Sequence, residues 1–237
     1  MAKHGKNYQE ATKLIDKTKA YHPQEAIELA KKMAHARFDE TVELHLQMGV
    51  DPRNASQQVR GVALMPHGLG KEVRVLVFAQ GEAERVASAA GADFVGSDEL
   101  IKKIEDGWLD FDTAMATPDM MGKVGKLGKI LGRRGLMPNP KSGTVVAADD
   151  LPGAISDTRK GRVEFKLDRT AIIHVSVGKI SFEADKLLDN LTAMIEALVK
   201  AKPSGVKGQY VKTAFLVTTM GPGIELDLKP TLSLSSS

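Results

Sequence analysis

Between Asp119 and Asp149 the chain carries six cations, Lys123, Lys126, Lys129, Arg133, Arg134 and Lys141, and no acidic residue. Five glycines, Gly122, Gly125, Gly128, Gly132 and Gly135, are interleaved with them. Glycine lets backbone N–H groups approach an anion closely, and Lys or Arg adds a point charge or a forked donor. The combination suits phosphate contact. It also suits a long, solvated basic loop or hinge, and these residues alone leave both readings open. Each glycine costs roughly 1 kcal/mol against alanine inside a helix, so one uniform helix over the run is not expected.

Two further constellations stand out. Thr41, Glu43, His45 and Gln47 alternate with Val42, Leu44, Leu46 and Met48, which describes a strand with one buried face and one polar face. The polar face is either a plain solvated surface or a flat hydrogen-bonding one, of the kind that suits ribose 2′-hydroxyls in the RNA minor groove. Glu43 is wrong for phosphate and right for a hydroxyl. Phe38, beside Arg37, reads as an exposed wedge or as a helix–strand core contact. The second constellation, Thr218-Thr219-Met220-Gly221-Pro222-Gly223, is a strand end entering a turn, with two hydroxyls available. Lys166, Arg169, Lys179 and Ser181 add donors on the hairpin expected from Arg162 onward, although a lysine such as Lys179 is also ordinary on any surface.

Catalytic patterns are missing. There is no phosphate-loop lysine motif, and Gly122 to Gly128 does not fit the dinucleotide fingerprint. The six histidines are scattered without ligand spacing, and there is no cysteine. No cofactor is expected. No apolar run approaches the ~18 residues of a membrane span. Net charge is only +3, so its distribution matters more than its sum. Residues 68–159 hold 12 Lys and Arg against 14 Asp and Glu; the remainder hold 21 against 16. The basic surplus therefore lies in the flanks.

Several stretches, taken in order, carry a resemblance. Met121-Gly122 through Leu136-Met137-Pro138-Asn139 resembles the signature segment of the bacterial large-subunit ribosomal protein L-one family, the family of the ribosome's mobile lateral stalk. Phe38 to Glu43, Asn54 to Lys71, Asp106-Gly107-Trp108, Ala116 to Asp119 and Thr218 to Pro222 resemble the same family, so the likeness covers nearly the whole chain. It implies a cytoplasmic, ribosome-bound protein that is a structural constituent of the large subunit and binds its ribosomal RNA. It further implies help in releasing deacylated transfer RNA from the exit site, repression of its own messenger RNA, no membrane partner, and a monomer when free. The RNA-binding residues it implies are Arg37, Phe38, Thr41, Glu43, His45, Lys166, Arg169, Lys179, Ser181 and Thr218 to Pro222. The Lys and Arg residues of the basic run would make secondary contacts. Arg37 stands where the family usually has Lys, which keeps the charge and adds the option of bidentate phosphate contact. The alternative is a Rossmann-like enzyme or sensor that takes a phosphorylated small molecule at the Gly-Lys strip.

The elements that must position these residues follow from local pattern. Helices are expected at Gln9 to Lys19 and from Pro23, and strands at Thr41 to Val50 and Gly61 to Met65. Val73 to Ala79 then opens a βαβαβ pattern, with Phe111 to Ala116 as its third strand and a helix near Asp149 to Thr158. Arg162 to Leu167 and Ala171 to Val177 read as a hairpin. A helix from Glu183 to Lys202 follows, then strands at Tyr210 to Thr219 and through Ile224, Leu226 and Leu228, and a disordered tail from Leu232. Together they describe a two-domain α/β chain. A split α+β domain with an antiparallel sheet (1–67 and 160–237) accepts an inserted Rossmann-like domain with a parallel sheet (68–159). Glycines flank both crossings, at Gly68, Gly70 and Gly161, as in a hinge.

Overall fold

A computed structural model describes residues 5–206 and 208–234. Of the mobile basic arm that the sequence suggests (Lys3, His4, Lys6), Lys3 and His4 lie outside them, as do the last serines of the expected tail, whereas Lys6 is the first residue of a helix. Contacts divide the chain into two units, Met1–Gly70 with Gly161–Ser237, and Lys71–Lys160.

The first unit begins with α1 (Lys6–Lys13), which starts earlier and ends sooner than the sequence pattern suggests. The Asp16 side chain accepts from the backbone N–H and hydroxyl of Thr18, and this turn takes the chain out of the helix. Helix α2 (Pro23–Met33) has Pro at its first position, where the missing N–H costs nothing. It buries Ala26, Ile27, Ala30 and Met33. Strand β1 (Thr41–Met48) alternates throughout, with Val42, Leu44, Leu46 and Met48 buried. Strand β2 (Arg60–Leu64) is the last element before the crossing.

The second unit opens with β3 (Val75–Phe78), every residue of which is buried. It continues through α3 (Glu82–Ala89), β4 (Phe94–Gly96), α4 (Asp98–Glu105) and β5 (Thr113–Ala116). The three strands form a parallel sheet in the order β4-β3-β5. The Gly-Lys run is no loop. It folds into α5 (Met121–Val124), a short 3-10 turn at Gly125–Leu127, and α6 (Gly128–Arg134). Met120, Val124, Leu127 and Leu131 are its buried face and pack with Leu76, Phe78 and Ile104 on one side of the sheet. Apolar packing at helical spacing thus outweighs the glycine penalty, and the helix still breaks twice. Helix α7 (Leu151–Arg159) packs with Ala87 and Val77 on the other side.

Back in the first unit come β6 (Arg162–Lys166), β7 (Ile172–Lys179), α8 (Ala184–Lys200), β8 (Val211–Thr218), β9 (Ile224–Glu225) and α9 (Leu228–Ser233). The expected hairpin does not form a ladder of its own. Strand β6 pairs with β2, and β7 pairs with β1. Only the bridge Leu167–Ile173 joins the two. The cause is the turn between them. Asp168 accepts from the N–H groups of Thr170 and Ile172, and Ala171 adopts φ 62, so the chain is re-aimed toward β1.

The main sheet is antiparallel, in the order β7-β1-β8-β9. Helix α8 covers it with Leu187, Leu191, Met194, Ile195 and Leu198. The C-terminus also differs from expectation. Strand β9 stops at Glu225, Asp227 caps α9 by accepting the Lys229 N–H at 3.0 Å, and Leu232 packs against the core. Pro230 falls in the first turn of that helix, where it is tolerated.

Candidate nucleic-acid interface

Antiparallel pairing gathers distant residues at one end of the main sheet. Thr41 lies opposite Lys179, and Val42 opposite Thr218. The loop before β1, with Arg37 and Phe38, therefore meets the end of β7, with Lys179 and Ser181, and the turn after β8, with Thr219, Met220 and Gly221. Phe38 and Met220 are large apolar side chains with 55% and 51% of their surface exposed. Single exposed apolar residues need no explanation, but two on adjoining loops form a contact surface. Phe38 is thus no core contact.

The polar groups of this end are largely occupied with one another. Lys179 Nζ donates to Thr41 Oγ1 at 2.8 Å and to the Asp39 carbonyl at 3.3 Å. Ser181 Oγ donates to Asp39 at 2.7 Å. Thr219 Oγ1 accepts the Thr41 N–H at 2.8 Å, and the Thr219 N–H donates to the Thr41 carbonyl at 3.1 Å. The Thr219 hydroxyl, expected to face RNA freely, first of all closes the sheet end. Thr218 and Pro222 are buried and offer no side chain outward. The turn needs glycine at 221 for an internal reason, since a Cβ there would lie 2.4 Å from Thr218 Oγ1.

Glu40, which the sequence did not single out, sits beneath these loops with 1% exposure. Its carboxylate accepts the N–H groups of His35 at 3.1 Å, Ala36 at 2.9 Å and Met220 at 3.1 Å. The buried Thr218 hydroxyl lies against the same carboxylate, short of full hydrogen-bond geometry and with no other partner. Burial opposes the charge on Glu40, but these donors outweigh it and hold the carboxyl below its ordinary value.

Along the polar face of β1, His45 Nε2 meets Glu43 at 3.1 Å and the His45 ring stands edge-on to His174 at 4.6 Å. Two expected residues are not brought to the Phe38 end. Arg169 lies in the turn before β7, beside the far end of β1, where Gln47 pairs with Ile172. That is about 20 Å from Thr41 at ~3.4 Å per residue. Lys166 pairs with Arg60 in the separate two-stranded sheet.

In the second unit, Lys123 pairs with Asp98 at 2.8 Å. Lys126, Lys129, Arg133 and Arg134 are exposed and have no ion pair among the described residues. Nothing lies within 4 Å of a Cβ built on Gly122, Gly125, Gly128, Gly132 or Gly135. The run therefore presents bare helical backbone flanked by unpaired cations.

The chain thus joins a split unit with an antiparallel main sheet to a parallel α/β unit that carries an exposed cationic strip. The chain belongs to the ribosomal protein L1p/L10e family, whose model matches residues 30–222. It is a ribosomal protein and not an enzyme, which removes the enzyme-or-sensor reading. Among its relatives, large ribosomal subunit protein uL1 of Dehalococcoides mccartyi strain BAV1 is 67% identical over 229 residues, 97% of either chain. The protein of the same name from Thermomicrobium roseum is 56% identical over 233 residues, 98% of this chain and 97% of the other.

Proposed function

We propose that this chain is a constituent of the large ribosomal subunit that binds ribosomal RNA at the lateral stalk, with the split unit as the primary RNA-binding domain. The observation that carries the reading is the exposed pair Phe38 and Met220, mounted on loops already hydrogen-bonded from within. Apolar contact from that pair, with Arg37 and Lys179 on phosphate and Thr41, Glu43 and His45 on ribose, sorts positioning contacts from selective ones. Lys166 and Arg169 reach a neighbouring stretch of backbone. The cationic strip of the second unit makes secondary contacts, to ribosomal RNA or to deacylated transfer RNA leaving the exit site. A segment of the protein's own messenger that copies the ribosomal site would occupy the same sheet end and repress translation. The free protein is a cytoplasmic monomer in this reading.

The test is the affinity of the full chain for an isolated stalk fragment of large-subunit RNA. Phe38→Ala and Met220→Ala should each weaken it, whereas replacing Lys126, Lys129, Arg133 and Arg134 together by Ala should barely change it. The opposite pattern would move the primary site to the second unit.

A further inference from the structure

We propose that Glu40 is the positioning residue of the RNA interface, holding the Arg37–Phe38 loop and the Met220 turn in register before RNA arrives. The inference rests on the sheet end described above being the RNA site. Its basis is a buried carboxylate with no ion-pair partner among the described residues. Such a group is costly unless fully hydrogen-bonded. Here one oxygen takes the N–H groups of His35 and Ala36, which lead directly into Arg37 and Phe38. The other takes the N–H of Met220, 180 residues away in the chain. The Glu40 backbone carbonyl accepts the Ile180 N–H at 2.9 Å, which adds the segment carrying Lys179 and Ser181. One residue thus fastens all three segments of the interface.

No other side chain does this. Glutamine carries one acceptor and one donor group, so its amide NH2 would face either Met220 N–H or the His35–Ala36 pair. Aspartate is one methylene shorter and does not span both loops. An apolar residue leaves three N–H groups without partners. The neighbouring Asp39–Ser181 contact joins exposed groups and the Lys179–Thr41 contact only half-buried ones, and neither reaches the backbone of the Arg37–Phe38 loop and the Met220 turn together, so they do not substitute. The arrangement also uses backbone donors only, which leaves the Phe38 and Met220 side chains free for the partner.

The experiment uses the full chain and the stalk RNA fragment. In the parent protein without RNA, the amides of His35, Ala36 and Met220 should already be protected from hydrogen exchange. In Glu40→Gln those three should lose protection while Leu44 and Leu216 in the sheet keep theirs. RNA affinity should fall by about 30-fold or more, as expected for loss of charge-assisted hydrogen bonds. Glu40→Asp should not restore it. A folded Glu40→Gln that binds RNA like the parent overturns the proposal. Should that variant not fold, the parent's exchange decides. Protection before RNA is added supports pre-positioning, and protection gained only on adding RNA overturns it. Parent-like affinity in both Phe38→Ala and Met220→Ala would instead overturn the interface itself.

Discussion

Gly161 packs so closely on Gly68 that a Cβ on Gly161 would lie 2.5 Å from the Gly68 Cα. These are the points where the chain leaves and re-enters the first unit, and the Met65 N–H donates to the Gly161 carbonyl at 3.1 Å. Gly161 also has φ 109, outside the range of L side chains. Gly161→Ala should therefore destabilise the first unit by at least ~2 kcal/mol, from backbone strain and the clash together. Urea unfolding followed by far-UV circular dichroism checks this; an unchanged midpoint would mean the two crossings are not held together.

The same crossing is pinned by Asn190, which is fully buried. Its Oδ1 accepts the His67 N–H at 3.1 Å, and its Nδ2 donates to the carbonyls of Gly68 at 2.9 Å and Val177 at 2.7 Å. Asn190→Leu leaves all three backbone groups unpaired and should cost roughly 2–4 kcal/mol. Asn190→Asp should be nearly as costly, because it keeps the acceptor and turns the donor into a second acceptor.

The glycines of the basic run make an opposite prediction. Gly122, Gly125, Gly128 and Gly132 have open space where a Cβ would go and are not at positive φ, so alanine at each should stabilise the free protein by up to ~1 kcal/mol. Gly135 caps α6 at φ 72, so Gly135→Ala should destabilise by about 1 kcal/mol. Trp108, the one tryptophan, stands edge-on to Phe94 at 4.8 Å within this unit, so its fluorescence in urea reads the unit selectively. Stabilising substitutions that weaken ribosome association would show that the bare backbone serves a partner.

Acid should act on the second unit through Asp112, whose carboxyl is held at about 2 against an ordinary 3.8. Burial alone would raise it; hydrogen bonds from the Lys71 and Arg74 side chains and the Arg74 N–H outweigh burial. Because the folded value is depressed, the contribution is fully present above pH ~4 and is lost as pH falls through ~2. Allowing for screening at the exposed cations, Asp112→Asn should cost about 1–2 kcal/mol at pH 7 and almost nothing near pH 2. Trp108 unfolding midpoints across that range provide the check.

Salt dependence separates the roles at the interface. Arg37→Ala should lower the slope of log K against log salt by roughly one, as one phosphate contact is lost. Phe38→Ala should weaken binding by about 10- to 100-fold with the slope unchanged. If Phe38→Ala changes the slope and Arg37→Ala does not, the two residues have been given each other's role.

Local pattern carried the fold a long way. Strict alternation marked the buried face of β1, and the continuous apolar run marked β3. Partner choice was not local: β6 joins β2 across the inserted unit because the Asp168 turn re-aims β7, and neither strand's pattern encodes that. The helical spacing of Met120, Val124, Leu127 and Leu131 is present in the sequence, but the glycines interleaved with it disfavour a helix locally, and only packing against the sheet reverses that. Asp227 followed by Pro230 likewise announced α9. Phe38 and Met220 stood out as motif residues, whereas Glu40 resembled its neighbour Asp39 until pairing placed Met220 above it. The chemistry of that carboxylate exists only once residues 180 apart in the chain have met.

The central position of β1 also sets an order of birth. Both of its partner strands, β7 and β8, are synthesised after the whole second unit has emerged. A nascent chain can therefore close its contiguous second unit early, while β1 waits with its apolar row Val42, Leu44, Leu46 and Met48 unpaired. The Met220 turn is synthesised after β1, the whole second unit and β7. On the reading proposed above, a growing chain cannot present the RNA site of the sheet end until β8 and the Met220 turn have been made and have paired with β1.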